Sequence, residues 1–275
     1  MVPFIDTDYF DFGYGDANTN ERLIDSQYAT STKYIDVTMG RDETMFGVNF
    51  ADGRIKGYGL KMPDGPPPEG ISPEGALKAE GPGNEKTFFV MYVRGNSSYG
   101  INDFVDNTDG TITDAAKGLM WMKEDSQSGM NWIDALSYEE GKDFAGHSDL
   151  CLLIVKELRS SIDYARSPGI TQSPAIDPVF NCSVITNEGG ETNYPCYWSG
   201  TTHANWSNKP CGVAAYVSFG RAMGKMNGTW TDVHGAGAHR SDPKVGDPAN
   251  WPDGHGPQGD AIRINNFVRL VRNVN

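Results

Sequence analysis

The densest run of chemistry-bearing side chains falls between residues 228 and 259. Asp232, Asp242, Asp247 and Asp253 supply carboxylates there, and His234, His239 and His255 supply imidazoles. Arg240 adds a guanidinium, and Trp230 and Trp251 add indoles. Carboxylate oxygens at uneven spacing suit Ca2+, which tolerates irregular coordination. Histidine ligands would point to zinc or nickel instead. Indole faces stack on sugar rings and anchor protein interfaces. Two site readings follow. The four aspartates form a candidate metal set, with Ca2+ as the candidate cofactor. Trp206, Trp230, His234, His239, Arg240, Trp251 and His255 form a candidate ligand-contact set. The competing reading is that these groups hydrogen-bond the loop's own backbone, whose polar atoms must be satisfied somehow. No helical or strand periodicity is apparent, so 228–259 reads as one long loop, and loops of that length are usually functional or disordered.

Other chemistry is harder to find. Asp106, Asn107 and Asp109 resemble the start of a calcium loop, but Asn107 follows Asp106 directly and no Glu stands at the twelfth position. Asp109-Gly110 between apolar alternations reads as a hairpin turn instead. Neither a G-x-S-x-G nor an H-E-x-x-H motif occurs. A nucleophile needs a base in reach and usually a third orienting group, and no motif announces one. The expectation is a protein that is not an enzyme. Cys151, Cys182, Cys196 and Cys211 are the only cysteines, none in C-x-x-C spacing. One or two disulfides are expected if the compartment is oxidising, in any of three fully paired connectivities. Cys196 with Cys211 is the pair a cysteine-dependent oxidase would need.

The elements that must position these groups are short. Gly (33) and Pro (16) are abundant among 275 residues, favouring a loop-rich globular protein over a helical bundle. The net charge of −13 makes the chain a poor partner for nucleic acid or an anionic membrane, so neither is expected as a partner. No run approaches the roughly 20 apolar residues of a membrane span. Residues 1–20 lack a basic start and an apolar core, so the expectation is either a protein that stays inside the cell or a leader that lies outside this sequence.

A weak internal repeat organises the chain. Pro3, Ile5 and Asp6 recur as Pro174, Ile176 and Asp177; Tyr28 and Thr32 as Tyr197 and Thr201. Val48 and Phe50 recur as Val217 and Phe219; Phe89, Val90, Val93 and Arg94 as Phe267, Val268, Val271 and Arg272. Four ordered matches at nearly constant offset argue for duplication. The expected division is 1–96 as the C-terminal half of a first, truncated domain and 97–275 as a complete second domain. A half domain exposes sheet edge and apolar face unless something covers them, so self-association through it is an expectation.

In the second copy, Gly118–Met122 reads as a buried strand. Asn131 should cap a helix to about Ala145. A second helix is expected over Ile154–Tyr164. Ala215, Val217 and Phe219 alternate on one strand face, and 266–272 closes the chain as a strand. Residues 57–85 read as a Pro/Gly loop. This is an α+β pattern, with two short helices per complete domain and small antiparallel sheets.

The stretches DNTDGTITDAAKGLMWMK, NWIDALSYEE, KELRSSIDYARSP, YPCYWSGTTHAN, DVHGAGAHRSDP and FVRLVRN, in order across 104–275, resemble the domain that ends the collagen-like bacterial adhesin Lcl. Residues 1–96 resemble the end of a preceding copy. The resemblance implies a C-type-lectin-like fold related to formylglycine-generating enzymes, tandem domains, an extracellular, periplasmic or cell-surface location, and adhesion to sulfated glycans. The expected function is a non-catalytic recognition module for a glycan or cell-surface protein. The alternative is an assembly subunit of a surface filament. Two positions depart from the family pattern. Leu150-Cys151-Leu152-Leu153-Ile154 stands where W-R-L-P-N is usual, and Ala29 stands where a Trp is usual. Both replacements alter expected core positions.

Overall fold

A polar–apolar alternation near the N-terminus builds a three-stranded meander: β1 (Gln27–Thr38), β2 (Asp42–Asn49) and β3 (Arg54–Gly59). The computed structural model describes residues 2–16, 18, 22–61, 86–204 and 211–274. The next strands are β4 (Phe104–Asp106), β5 (Thr111–Asp114) and β6 (Leu119–Met122). Helix α1 (Trp132–Glu140), β7 (Cys151–Leu152) and helix α2 (Val155–Ser160) come next. Then follow β8 (Ile185–Thr186), β9 (Thr192–Asn193), β10 (Cys196–Thr202) and β11 (Val213–Ser218). The chain ends with β12 (Met223–Met226), β13 (Thr229–Asp232), β14 (His239–Pro243) and β15 (Leu270–Asn273). The architecture is loop-rich α+β, mostly antiparallel.

Two sheets carry the fold. A six-stranded sheet has the order β1-β2-β3-β14-β11-β10, and a five-stranded sheet has the order β4-β5-β6-β15-β7. Strand β11 is buried on both faces. Val217, with Phe219 just beyond it, enters one apolar cluster with Trp121, Leu153 and Val271. Ala214 and Tyr216 enter another with Trp132, Trp198 and Leu270. A smaller cluster of Tyr34, Phe46, Ala175 and Ala236 joins the N-terminal meander to the rest.

Local chemistry explains most element ends. Asp109 accepts from the Thr111 N–H and hydroxyl, and Asp106 from the Thr108 N–H, so the calcium-like run is a hairpin turn, as expected. Asn131 caps α1 by accepting from the N–H groups of Ile133 and Asp134. The helix stops at Gly141 rather than near Ala145, because Phe144 and His147 pair back on each other around a left-handed Ala145. Helix α2 is also shorter than expected, since Ile162 leaves it to bridge Ile176. The Leu150–Ile154 run is built into the core. Leu150, Leu152 and Leu153 are buried, and β7 pairs with β15. The closing strand is narrower than expected, with Phe267 making only a bridge to Tyr197.

Residues 228–259 are not one structureless loop. They hold β13, the interior sheet strand β14 and a 3-10 turn at Pro248–Asn250. His-Arg-Ser-Asp-Pro reads as loop because its side chains are polar. In place, β14 pairs on both edges, and the Arg240, Ser241 and Asp242 side chains find partners. The sequence did contain one signal for this: Asn227-Gly228 between β12 and β13, both with positive φ, is a two-residue hairpin. The expected 57–85 loop also starts later, because Gly57–Gly59 finish β3; residues 62–85 lie outside the described residues.

The matched sequence positions make matching contacts. Tyr28 pairs with Val48, as Tyr197 pairs with Val217. Tyr28 bridges Phe89 in parallel, as Tyr197 bridges Phe267. Ala29 N–H donates to Phe89 O and Phe89 N–H to Gln27 O; Trp198 donates to Phe267 O and Phe267 to Cys196 O. Phe4 N–H donates to Phe50 O, as Ala175 N–H does to Phe219 O.

Candidate functional site

Asp260, which sequence reasoning missed, lies at the centre of the chemistry. Oδ1 of Asp260 accepts from His234 Nε2 at 2.9 Å, and Oδ2 lies 3.4 Å from both Lys56 Nζ and Arg240 Nη2. Four elements converge to do this. Lys56 comes from β3, Arg240 from β14, His234 from the turn after β13, and Asp260 from a segment bridged to Gly224 of β12 and to His255. Arg240 also donates to the Met223 and Ala261 carbonyls and lies over the Tyr216 ring. Burial opposes ionisation of Asp260, but Arg240, Lys56 and His234 outweigh it and hold the carboxyl well below the usual range. Burial, with Lys56 nearby, pushes His234 down to about 4. The ring is therefore neutral near pH 7, its Nε2–H donates to Asp260, and its buried Nδ1 has no partner.

The four candidate metal aspartates are not brought together. Asp232 is buried and accepts from the Ala222 and Gly235 N–H groups and from the Tyr34 hydroxyl. Burial raises its pKa to about 6. Asp242, also buried, accepts from the Arg263 N–H. Asp247 caps the 3-10 turn through the Ala249 N–H. Asp253 is exposed and pairs with Lys225 at 2.6 Å. Each carboxylate thus has its own partners. Among the described residues, no three His, Cys, Asp or Glu side chains are placed to share a metal ion.

The ligand-contact candidates divide into floor and rim. His234, His239 and Arg240 are buried. His239 has neither ring nitrogen partnered, and burial with nearby Arg159 pushes it down to about 3. The rim is Trp230, half-buried on β13; Lys225 opposite it on β12, with Nζ 5.8 Å from the ring centroid; exposed Asp253; and exposed His255. Trp251, also half-buried, adjoins through Pro252, whose carbonyl accepts from Lys225. Trp206 lies outside the described residues. Trp198 is fully buried, with its indole N–H on Met130 O.

A second polar group, unsuspected from sequence, ties the two halves together. His203 Nε2 lies 2.7 Å from Asp52 O and Nδ1 lies 3.1 Å from Ser241 Oγ. A carbonyl can only accept, so Nε2 carries the proton and Ser241 donates to Nδ1. Arg54 donates to the same Ser241 oxygen. Phe4 stacks on the imidazole at 5.3 Å.

The expected disulfides are absent, and all four cysteines are free. Cys196 is buried in β10 against the Ser218 hydroxyl, whereas Cys211 sits on an exposed left-handed turn before β11. Cys182 touches the Tyr197 hydroxyl, and burial raises its thiol to about 11. Burial likewise raises Cys151 and Cys196, the opposite of the lowered pKa that activates a thiol.

Residues 110–234 match the family model of the Lcl C-terminal domain. That match runs from β5 to the turn after β13. No curated protein and no solved structure matches the chain.

Proposed function

We propose that the chain is a non-catalytic recognition module of C-type-lectin-like build. It acts outside the cytoplasm and binds a glycan on the rim formed by Trp230, Lys225, Asp253, His255 and Trp251. The observation that carries this reading is the half-buried Trp230 standing on a hairpin beside exposed hydrogen-bonding groups. A sugar needs an apolar face to stack on and polar groups at its edge. The buried Asp260 network supports it by pinning the loop that bears Asp253 and His255. The match of residues 110–234 to the Lcl C-terminal domain family supports a surface role.

The local charges favour an uncharged sugar over a sulfated one. Lys225 is paired with Asp253, and Lys56 and Arg240 share Asp260, within a chain of net charge −13. A glycan array with the parent, Trp230→Ala and Trp251→Ala tests this. Binding by the parent that falls at least tenfold in Trp230→Ala, or about 1.4 kcal/mol, is expected. Equal binding by parent and both variants would move the site elsewhere, and no binding by the parent would remove the glycan reading.

A further inference from the structure

The N-terminal segment shares a set of contacts with the C-terminal one. Tyr28, Phe50 and Phe89 form an aromatic trio with centroids 5.1 and 5.4 Å from the tyrosine, and Tyr197, Phe219 and Phe267 form the same trio at 4.8 and 6.4 Å. Asp6 accepts from the N–H two residues on, as Asp177 does. The equivalence then predicts the surroundings of each following strand. After Phe267, β15 runs between two neighbours: Val271 pairs with Trp121 of β6 and with Cys151 of β7. Val268, Leu270 and Val271 are buried. Their counterparts Val90, Tyr92 and Val93 are 57%, 95% and 86% exposed. Among the described residues, no backbone hydrogen bond is made by residues 90–95.

We infer that Val90–Gly95 is a strand-acceptor site for a polypeptide segment built like residues 104–152: a hairpin like β5–β6 on one edge, and a strand like β7 on the other. Residues 104–152 of the chain itself cannot fill it, because β6 and β7 already flank β15. Charge points to the same occupant. Arg272 pairs with Asp149 at 2.7 Å, two residues before β7. Its counterpart Arg94 is exposed and has no carboxylate paired with it among the described residues, and an occupant of this build brings one. Addition to an unpaired edge supplies main-chain hydrogen bonds, and the alternate side chains supply apolar contact. This inference is independent of the glycan rim, which lies on β12–β13.

Two experiments test it. In the first, residues 102–173 are repeated ahead of residue 2 of the full chain, and amide exchange is followed at 90–95. The parent should exchange freely there while 270–273 stays protected, and the fusion should protect 90–95 and lose binding of an apolar dye. In the second, a synthetic peptide covering residues 109–125 is titrated into the full chain and into Val93→Pro. The proline deletes one donor and clashes with a ladder partner, so peptide binding should weaken by roughly tenfold. Unchanged exchange in a folded fusion, with no peptide binding, overturns the inference. So does a parent dimer abolished by Val93→Lys, which would make the occupant a second whole copy.

Discussion

Ile55 and His239 face each other where β3 meets β14, and they occupy equivalent places. Ile55 also pairs with Val48, and His239 with Val217, the two residues that stand opposite Tyr28 and Tyr197. The seam of the six-stranded sheet thus runs through a pair related by an approximate two-fold. One half places an apolar side chain there. The other places a buried imidazole with both nitrogens unpartnered. Unmet buried polar groups cost about 1–3 kcal/mol each.

Replacing that imidazole by the apolar type its counterpart uses should therefore stabilise the chain. His239→Leu is expected to raise stability by about 1–2 kcal/mol, because it removes unmet polar atoms without emptying the space. Urea unfolding at pH 7 measures it. A loss of stability would mean that the imidazole has a partner in solution.

The histidines also set the response to acid. His234 near 4 and His239 near 3 lie below the ordinary 6.5. Below pH 6.5 the unfolded chain takes up protons that the folded chain refuses. Stability is therefore full above 6.5 and falls as the pH drops towards 4, by up to about 1.4 kcal/mol per pH unit per histidine. Asp232, raised to about 6, opposes this. The folded chain keeps its proton between its ordinary value of 3.8 and about 6, so its contribution is lost as pH rises through 6. Burial also raises Asp242 and lowers His203, so three lowered histidines against two raised aspartates leave a net loss on acidification. Melting temperatures from pH 7 to 4.5 should fall, and less steeply in His239→Leu; parallel profiles would remove His239 from the account.

The difference between what was legible in the sequence and what was not is physical. The Asp109-Gly110 hairpin, the Asn131 cap and the alternation of β11 depend on neighbours a few residues away, and each appears where expected. The Tyr28–Val48 and Tyr197–Val217 pairings were legible because those pairs keep their spacing. Strand β14 was not, because its polar side chains are satisfied by groups far along the chain: Arg240 by Met223 and Ala261 carbonyls, Ser241 by Arg54 and His203. Asp260 and Lys56 meet across 204 residues, and no local pattern encodes that. The four aspartates looked like a metal set only while their separate partners were unknown.

The ion network yields a sharper contrast. Asp260→Asn takes from the mostly buried Lys56 and Arg240 the carboxylate they share, and should cost about 3–5 kcal/mol. Lys225→Ala breaks a pair whose carboxylate is exposed, and should cost about 0–1 kcal/mol. Chemical denaturation of both variants decides the matter. Equal effects would mean that water screens the Asp260 cluster as fully as it does the surface pair.

The seam itself can be probed through a glycine. Gly57 of β3 donates its N–H to His234 O at 2.8 Å, one of the bonds that holds the N-terminal meander against the rest. A Cβ at Gly57 would lie 2.5 Å from that same oxygen and 2.7 Å from Thr44 Cγ2. A backbone oxygen cannot swing aside, so Gly57→Ala must push β3 from the turn that carries His234. The expected cost is about 1–3 kcal/mol. Gly95→Ala, which meets nothing within 4 Å, should change stability by no more than about 0.5 kcal/mol. Limited proteolysis adds a spatial readout. If the seam is where the strain falls, Gly57→Ala should speed cleavage within 27–59 while leaving the β10–β11 region resistant. Uniform acceleration over the whole chain would instead mean that the two halves unfold as one unit and that the seam is no weaker than the core.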